Sequence, residues 1–104
     1  MLENVVLTEA VYYILLSLNE PKHGYGIIKN VQELSNSRVD LAPGTLYGAI
    51  STLIDKRWIC LYPSNDGSKK KEYQLTDLGR RTLNNEIERL RELLNNGDRI
   101  IWNK

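Results

Sequence analysis

From Pro43 the chain carries small and hydroxyl-bearing residues, Gly44, Thr45, Gly48, Ser51 and Thr52, with Tyr47 among them, and further on it sets Lys69, Lys70 and Lys71 side by side. Glycine lets a backbone approach another molecule closely, serine and threonine hydroxyls pair with base edges or phosphate oxygens, and ammonium groups neutralise phosphates. These are the tools of nucleic-acid recognition rather than of bond-breaking. No paired carboxylates, no nucleophile with a base and no phosphate-cradling glycine loop occur at workable spacing, and Gly24-Tyr25-Gly26 is too short to count, so an enzyme is not expected. The single cysteine, Cys60, has no partner for an internal disulfide. With one histidine, His23, it cannot assemble a zinc cluster, so no metal or other cofactor is expected. His23 is read as a helix-start hydrogen-bonding residue, and Cys60 as a small hydrophobe on an apolar strand.

These residues need a scaffold, and hydrophobic periodicity supplies one. Thr8 is a suitable N-cap for a first helix carrying Val11, Ile14, Leu15 and Leu18 on one face. A second helix follows His23-Gly24 with Ile27, Ile28, Val31 and Leu34, closing near Ser35. Proline suits the first turn of a third helix at Pro43, which runs to about Arg57. On it Leu46, Ala49, Ile50, Leu53 and Ile54 fall within an arc of about 140°, opposite Gly48, Ser51, Thr52 and Asp55, with Thr45 at the edge. Trp58–Tyr62 and Lys71–Leu75 read as the strands of a hairpin with a basic tip. Thr76 then caps a long helix whose Leu83, Ile87, Leu90 and Leu94 have coiled-coil spacing, continuing in register through Gly97 to Ile101. To about Asn96 it would be roughly 30 Å long. Asn95-Asn96-Gly97-Asp98 predicts a break or kink, after which Ile100, Ile101 and Trp102 form an apolar end that needs burial.

The predicted architecture is therefore mainly α with a small β-hairpin: a winged helix-turn-helix over residues 1–75 and a long C-terminal dimerisation helix over 76–104, packed as one compact unit. The bulk numbers agree with a single domain. A chain of 104 residues, 41% hydrophobic and 26% charged, has the composition of an ordinary globular protein, and at this size it hides roughly 65% of its unfolded surface. The apolar N-terminal run from Val5 to Leu18 carries Glu3 and Glu9 around it and lacks a basic leader. Neither a signal peptide nor a membrane span is expected, and the reading is cytoplasmic. A formal net charge of +1 excludes a grip on nucleic acid by bulk charge. Local clustering replaces it, since Lys56–Lys71 holds five basic residues against Asp66 alone.

Several motifs then stand in order at matching spacing. His23-Gly24-Tyr25 followed by Ile27, Gly44-Thr45-Leu46-Tyr47, and Lys69-Lys70-Lys71-Glu72-Tyr73-Gln74-Leu75-Thr76 with Gly79 together resemble the PadR family of bacterial transcription regulators, over nearly the whole chain from about Val11. Glu72 replaces the usual aromatic, and Lys69 and Lys70 replace arginines, which favours a wing that grips backbone over one that reads a groove. The resemblance, in its shorter branch, implies a repressor that binds a pseudo-palindromic operator on double-stranded DNA as a homodimer. Contacts would come from Gly44, Thr45, Tyr47, Gly48, Ser51, Thr52 and Lys69–Lys71. The first and last helices would meet their partners through Val11, Ile14, Leu83, Ile87, Leu90, Leu94, Ile101 and Trp102. For some members it also implies a small aromatic or phenolic effector, for which Tyr12, Tyr13 and Trp102 form a candidate stacking pocket. The near-neutral total charge leaves one alternative open, a winged-helix protein-interaction module without direct DNA contact.

Overall fold

The computed structural model describes residues 5–63 and 70–102. Its elements run α1 (Glu9–Ser17), β1 (Lys22–His23), α2 (Gly24–Leu34), α3 (Pro43–Asp55), β2 (Ile59–Tyr62), β3 (Glu72–Leu75) and α4 (Asp77–Ile101). Three of the four helices, α1, α2 and α4, begin at a side-chain cap. The Thr8 hydroxyl accepts from the Val11 amide at 3.2 Å, His23 Nδ1 from Gly26 at 3.3 Å, and the Thr76 hydroxyl from Gly79 at 3.0 Å. Helix α3 has no side-chain cap and relies on Pro43 in its first turn, whose missing N–H leaves one donor fewer to satisfy.

Two helices end in left-handed caps without glycine. After α2, the Asn36 amide donates to Glu33 and the Ser37 amide to Gln32, with Asn36 at φ 52°. After α3, the Arg57 amide donates to Ile54 and the Trp58 amide to Leu53, with Arg57 at φ 63°. This double bonding satisfies the last carbonyls and turns the chain sharply, so that α3 feeds straight into β2.

The sheet has three strands in the order β1-β3-β2, all antiparallel, where two were predicted. Lys22 pairs with Tyr73 and His23 with Glu72, so the start of α2 is fastened to the root of the wing. Ile14 and Leu15 of α1 with Leu18 just after it, Ile27 and Val31 of α2, and Leu46, Ile50 and Leu53 of α3 meet Ile59, Leu75 and Leu83 in a single core. The polar Ser17, fully buried, donates to the Tyr13 carbonyl at 2.8 Å and accepts from Asn30 at 2.9 Å, so its burial leaves nothing unpaired.

The root of α4 is packed backbone to backbone. The Thr76 amide donates to the Trp58 carbonyl at 3.0 Å and the Thr76 hydroxyl to the Arg57 carbonyl at 2.5 Å. A Cβ on Gly79 would lie 2.7 Å from the Trp58 carbonyl carbon, so only glycine fits there. Helix α4 continues unbroken to Ile101, which corrects the predicted break at Asn95–Asp98. One internal glycine costs about 1 kcal/mol relative to alanine, too little to interrupt a helix whose turns on both sides are intact. Its distal half projects beyond the core and gives the molecule its 56 × 35 × 21 Å outline. None of the described helices is long and apolar enough to cross a membrane.

Candidate nucleic-acid interface

Helix α3 is anchored from beneath by Leu46, Ile50 and Leu53, each 3% exposed or less, and this fixes which side faces outward. Gly44, Thr45, Tyr47, Gly48, Ser51 and Thr52 all lie on the exposed side, as their helical phase predicts. Ile54, expected with the buried set, is 38% exposed at the helix's end. A Cβ on Gly44 or Gly48 would meet nothing within 4 Å. Glycine at two helical positions costs about 0.5–1 kcal/mol each, and no packing within the chain asks for it. The Thr52 hydroxyl donates back to the Gly48 carbonyl at 3.2 Å, so toward a ligand it acts as an acceptor.

The wing root brings basic charge beside this helix. Lys70 and Lys71 are exposed where the chain enters β3, while Lys69 lies outside the described residues. Together with His23, Gly24, Tyr25, Tyr47 and Tyr73 they line a cleft of about 400 Å³ between the start of α2, the first turns of α3 and the foot of the wing. Tyr47 leans across it until its ring tip rests on Gly24, where a Cβ would lie 2.8 Å from the tyrosine Cζ. Sequence reasoning did not place His23, Gly24, Tyr25 and Tyr73 in this cleft. Their adjacency arises from the β1–β3 pairing, and the His23-Gly24-Tyr25 motif was its only local trace.

A second recess, of about 320 Å³, lies between α1 and α4 and is lined by Leu7, Glu9, Tyr12, Tyr13, Glu86 and Leu90. The two tyrosine rings meet edge to face at 5.9 Å. Both carboxylates are already engaged. Glu9 is held by Arg38 at 2.7 and 3.0 Å, and these hydrogen bonds lower its pKa. Glu86, 2% exposed, accepts from Arg89 at 2.6 and 2.9 Å and from the Leu7 amide at 2.8 Å. The Arg89 bonds, aided by Leu7, hold its carboxyl below the usual glutamate range against the opposing effect of burial. Trp102 does not join this recess within one chain. It stands twelve residues beyond Leu90, about 18 Å along the helix, and is 67% exposed.

The predicted partner-facing residues divide. Ile14 and Leu83 are buried in the chain's own core, and Val11 and Ile87 are partly buried against it. Packing within the chain consumes the surface of Ile14 and Leu83, because α4's first turns close the core before the helix leaves it. Leu90, Leu94, Ile101 and Trp102 remain exposed, joined by Leu93 and Ile100. Among the described residues no cluster of histidine, cysteine, aspartate or glutamate could hold a metal ion.

The profile of the transcriptional regulator PadR-like family matches residues 13–85. A PadR family regulator from Eggerthella lenta is 30% identical, over 84% of this chain and 71% of that one, at a TM-score of 0.61. A PadR family regulator from Clostridium difficile is 25% identical over 89% and 97%, at a TM-score of 0.69. Bacillus subtilis PadR, solved in complex with operator DNA, is 24% identical over 75% of this chain and 45% of that one, at a TM-score of 0.61. Comparison with curated proteins gives no match.

Proposed function

The chain belongs to the PadR-like family of transcriptional regulators, and from that premise we propose that it is a cytoplasmic repressor binding a pseudo-palindromic operator as a homodimer. The observation that carries this reading is the outward face of α3. Gly44 and Gly48 have open space where a side chain would be, and Thr45 and Ser51 stand exposed beside them. Such a face serves no packing purpose in the chain but suits close approach to a major groove. Lys71 and the other wing lysines neutralise flanking phosphates, and two copies of α3 reach half-sites about one helical turn apart. The operator complex of the B. subtilis relative supports the reading by analogy of fold.

Dimerisation follows from the unpartnered stripe of α4. Leu90, Leu93, Leu94, Ile100 and Ile101 are all more than a third exposed along one side of the helix, a contiguous apolar stripe of the kind that marks a protein-protein contact. A gel shift with the DNA upstream of the protein's own gene, at low and moderate salt, tests the assignment. A retarded complex that weakens steeply with salt is expected. No complex at low salt would instead mark a winged-helix protein-interaction module.

The recess beside Tyr12 and Tyr13 favours one addition, a small planar aromatic effector stacking between the tyrosines and Leu90. Because Glu9 and Glu86 are both paired, the recess offers little net charge, which suits a neutral phenolic compound better than a cation. Isothermal titration of the protein with flat aromatic compounds should show saturable binding, weakened by Tyr12→Ala, of a compound that also alters DNA binding. If no compound does both, the rings only pack the interface.

A further inference from the structure

The cleft at the foot of the wing holds more hydrogen-bond donors than the protein itself uses. Tyr73 is 6% exposed, yet among the described residues its hydroxyl has no hydrogen-bond partner. No fully sealed polar atom lacks a partner either, so this oxygen must open onto the cleft that the residue lines. Burial first, and Tyr47 second, push its pKa up, which keeps the phenol protonated and able to donate. The Tyr47 ring tip, resting on Gly24, brings a second phenol to the same space. Lys71 adds an ammonium group. Helix α2 starts there too, and the amides of a helix's first turn have no acceptor within it. Gly26 gives its amide to His23 Nδ1, and Gly24 and Tyr25, the first two residues of α2, are among those that line the cleft. None of the described residues that line it is acidic.

We propose that this cleft seats one backbone phosphate of the DNA in each subunit, its oxygens accepting from the Tyr73 and Tyr47 hydroxyls, Lys71 and the amino end of α2. The proposal deepens the DNA-binding reading and rests on it. A phosphate fits because its oxygens accept from several directions at once, matching donors that converge from two helices and a strand. A planar base edge would satisfy only those lying in its own plane. In the complex the Tyr73 hydroxyl, which opens onto the cleft, exchanges cleft water for a phosphate oxygen. It fixes the α2 start, the α3 start and the wing against a single point on the duplex, which sets the register from which α3 reads.

Tyr73→Phe and Tyr47→Phe keep the rings and remove only the hydroxyls. DNA affinity, followed by fluorescence anisotropy on the upstream fragment, should fall about tenfold for Tyr73→Phe, with the salt slope unchanged and thermal stability equal or higher. Tyr47→Phe should act in the same direction. Lys71→Ala, by contrast, should lower the slope. Duplexes carrying one methylphosphonate per half-site should reveal a position where the wild type loses affinity and Tyr73→Phe loses nothing further. A folded Tyr73→Phe protein that binds DNA like the wild type, or methylphosphonate losses that add at every position, would overturn the proposal while leaving the repressor reading intact. Inorganic phosphate shares the chemistry and is titrated onto the DNA-free protein. Submillimolar, Tyr73-dependent binding of it, with DNA affinity unmoved by Tyr73→Phe, makes the cleft a free-anion site and equally overturns the proposal. If the wild type binds no DNA at all, the underlying functional reading fails and this proposal falls with it.

Discussion

Two residues at the junction of α3, β2 and α4 carry opposite backbone demands. Arg57 sits at φ 63°, a left-handed conformation that costs a residue with a Cβ roughly 1–2 kcal/mol. Its side chain is exposed, so Arg57→Gly should raise stability by about 0.5–1 kcal/mol in urea denaturation, the gain being trimmed by glycine's greater freedom when unfolded. Gly79 is the reverse case, its Cα hydrogen facing the Trp58 carbonyl. Gly79→Ala drives a methyl into backbone that two hydrogen bonds from Thr76 hold in place, and should cost about 2–3 kcal/mol in the same measurement. At the wing, Lys71→Ala removes one proposed phosphate contact per subunit. The slope of log K against log salt should drop by about two for the dimer, near-uniformly across DNA sequences, and an unaltered slope would remove Lys71 from the interface.

At the scale of elements, the N-terminal strap, the stretch around Leu7 that precedes α1, is joined to α4 through one buried carboxylate. Glu86 accepts from the Leu7 amide and from Arg89 Nε and Nη2, and with 2% of its surface exposed it has little water to fall back on. Its carboxyl titrates below the value it would have unfolded. The stabilisation is therefore fully present above the ordinary glutamate pKa of about 4.3, and it is lost as pH falls through the lower, folded value. Glu86→Gln should cost about 2 kcal/mol near neutral pH, since hydrogen bonds to an ionised group are the strong ones. The variant's stability should also decline less than the wild type's between about pH 5 and pH 3. Equal acid sensitivity in both proteins would show that Glu86 does not govern this limb. The sequence hid the strap, because Glu86 falls beside Leu83, Ile87 and Leu90 on the helical projection, where a glutamate reads as the polar margin of an apolar stripe. Only the approach of Leu7, 79 positions away, makes it a buried acceptor.

At the scale of the molecule, the exposed stripe of α4 and the doubled reading helix belong together. Leu94 is 63% exposed, so Leu94→Glu should change the stability of the isolated subunit by less than about 0.5 kcal/mol. In sedimentation equilibrium it should nonetheless shift the proposed dimer toward monomer, and DNA affinity should fall with it because two half-site contacts no longer act in concert. A Leu94→Glu protein that remains dimeric would place the interface elsewhere. The 38% exposure of Leu90 and 5% of Leu83 mark where α4 passes from serving its own core to offering a surface.

What this chain's sequence determined by itself was whatever depends on near neighbours. Thr8, Thr76 and Pro43 announce helix starts because caps act within one turn, and the outward set of α3 follows from helical phase once Leu46, Ile50 and Leu53 are taken as buried. The tertiary structure alone decided what distant segments do to one another. Strand β1 has two residues and exists only because β3, some fifty positions on, lies beside it. That pairing gathers His23, Gly24, Tyr25 and Tyr73 into one cleft with Tyr47 and the wing. The continuous seam from Leu83 to Ile101 reads as one interface in sequence, since heptad spacing records which side of a helix is apolar. Whether that side meets the chain's own core or open solvent depends on where the core ends, and it ends within α4.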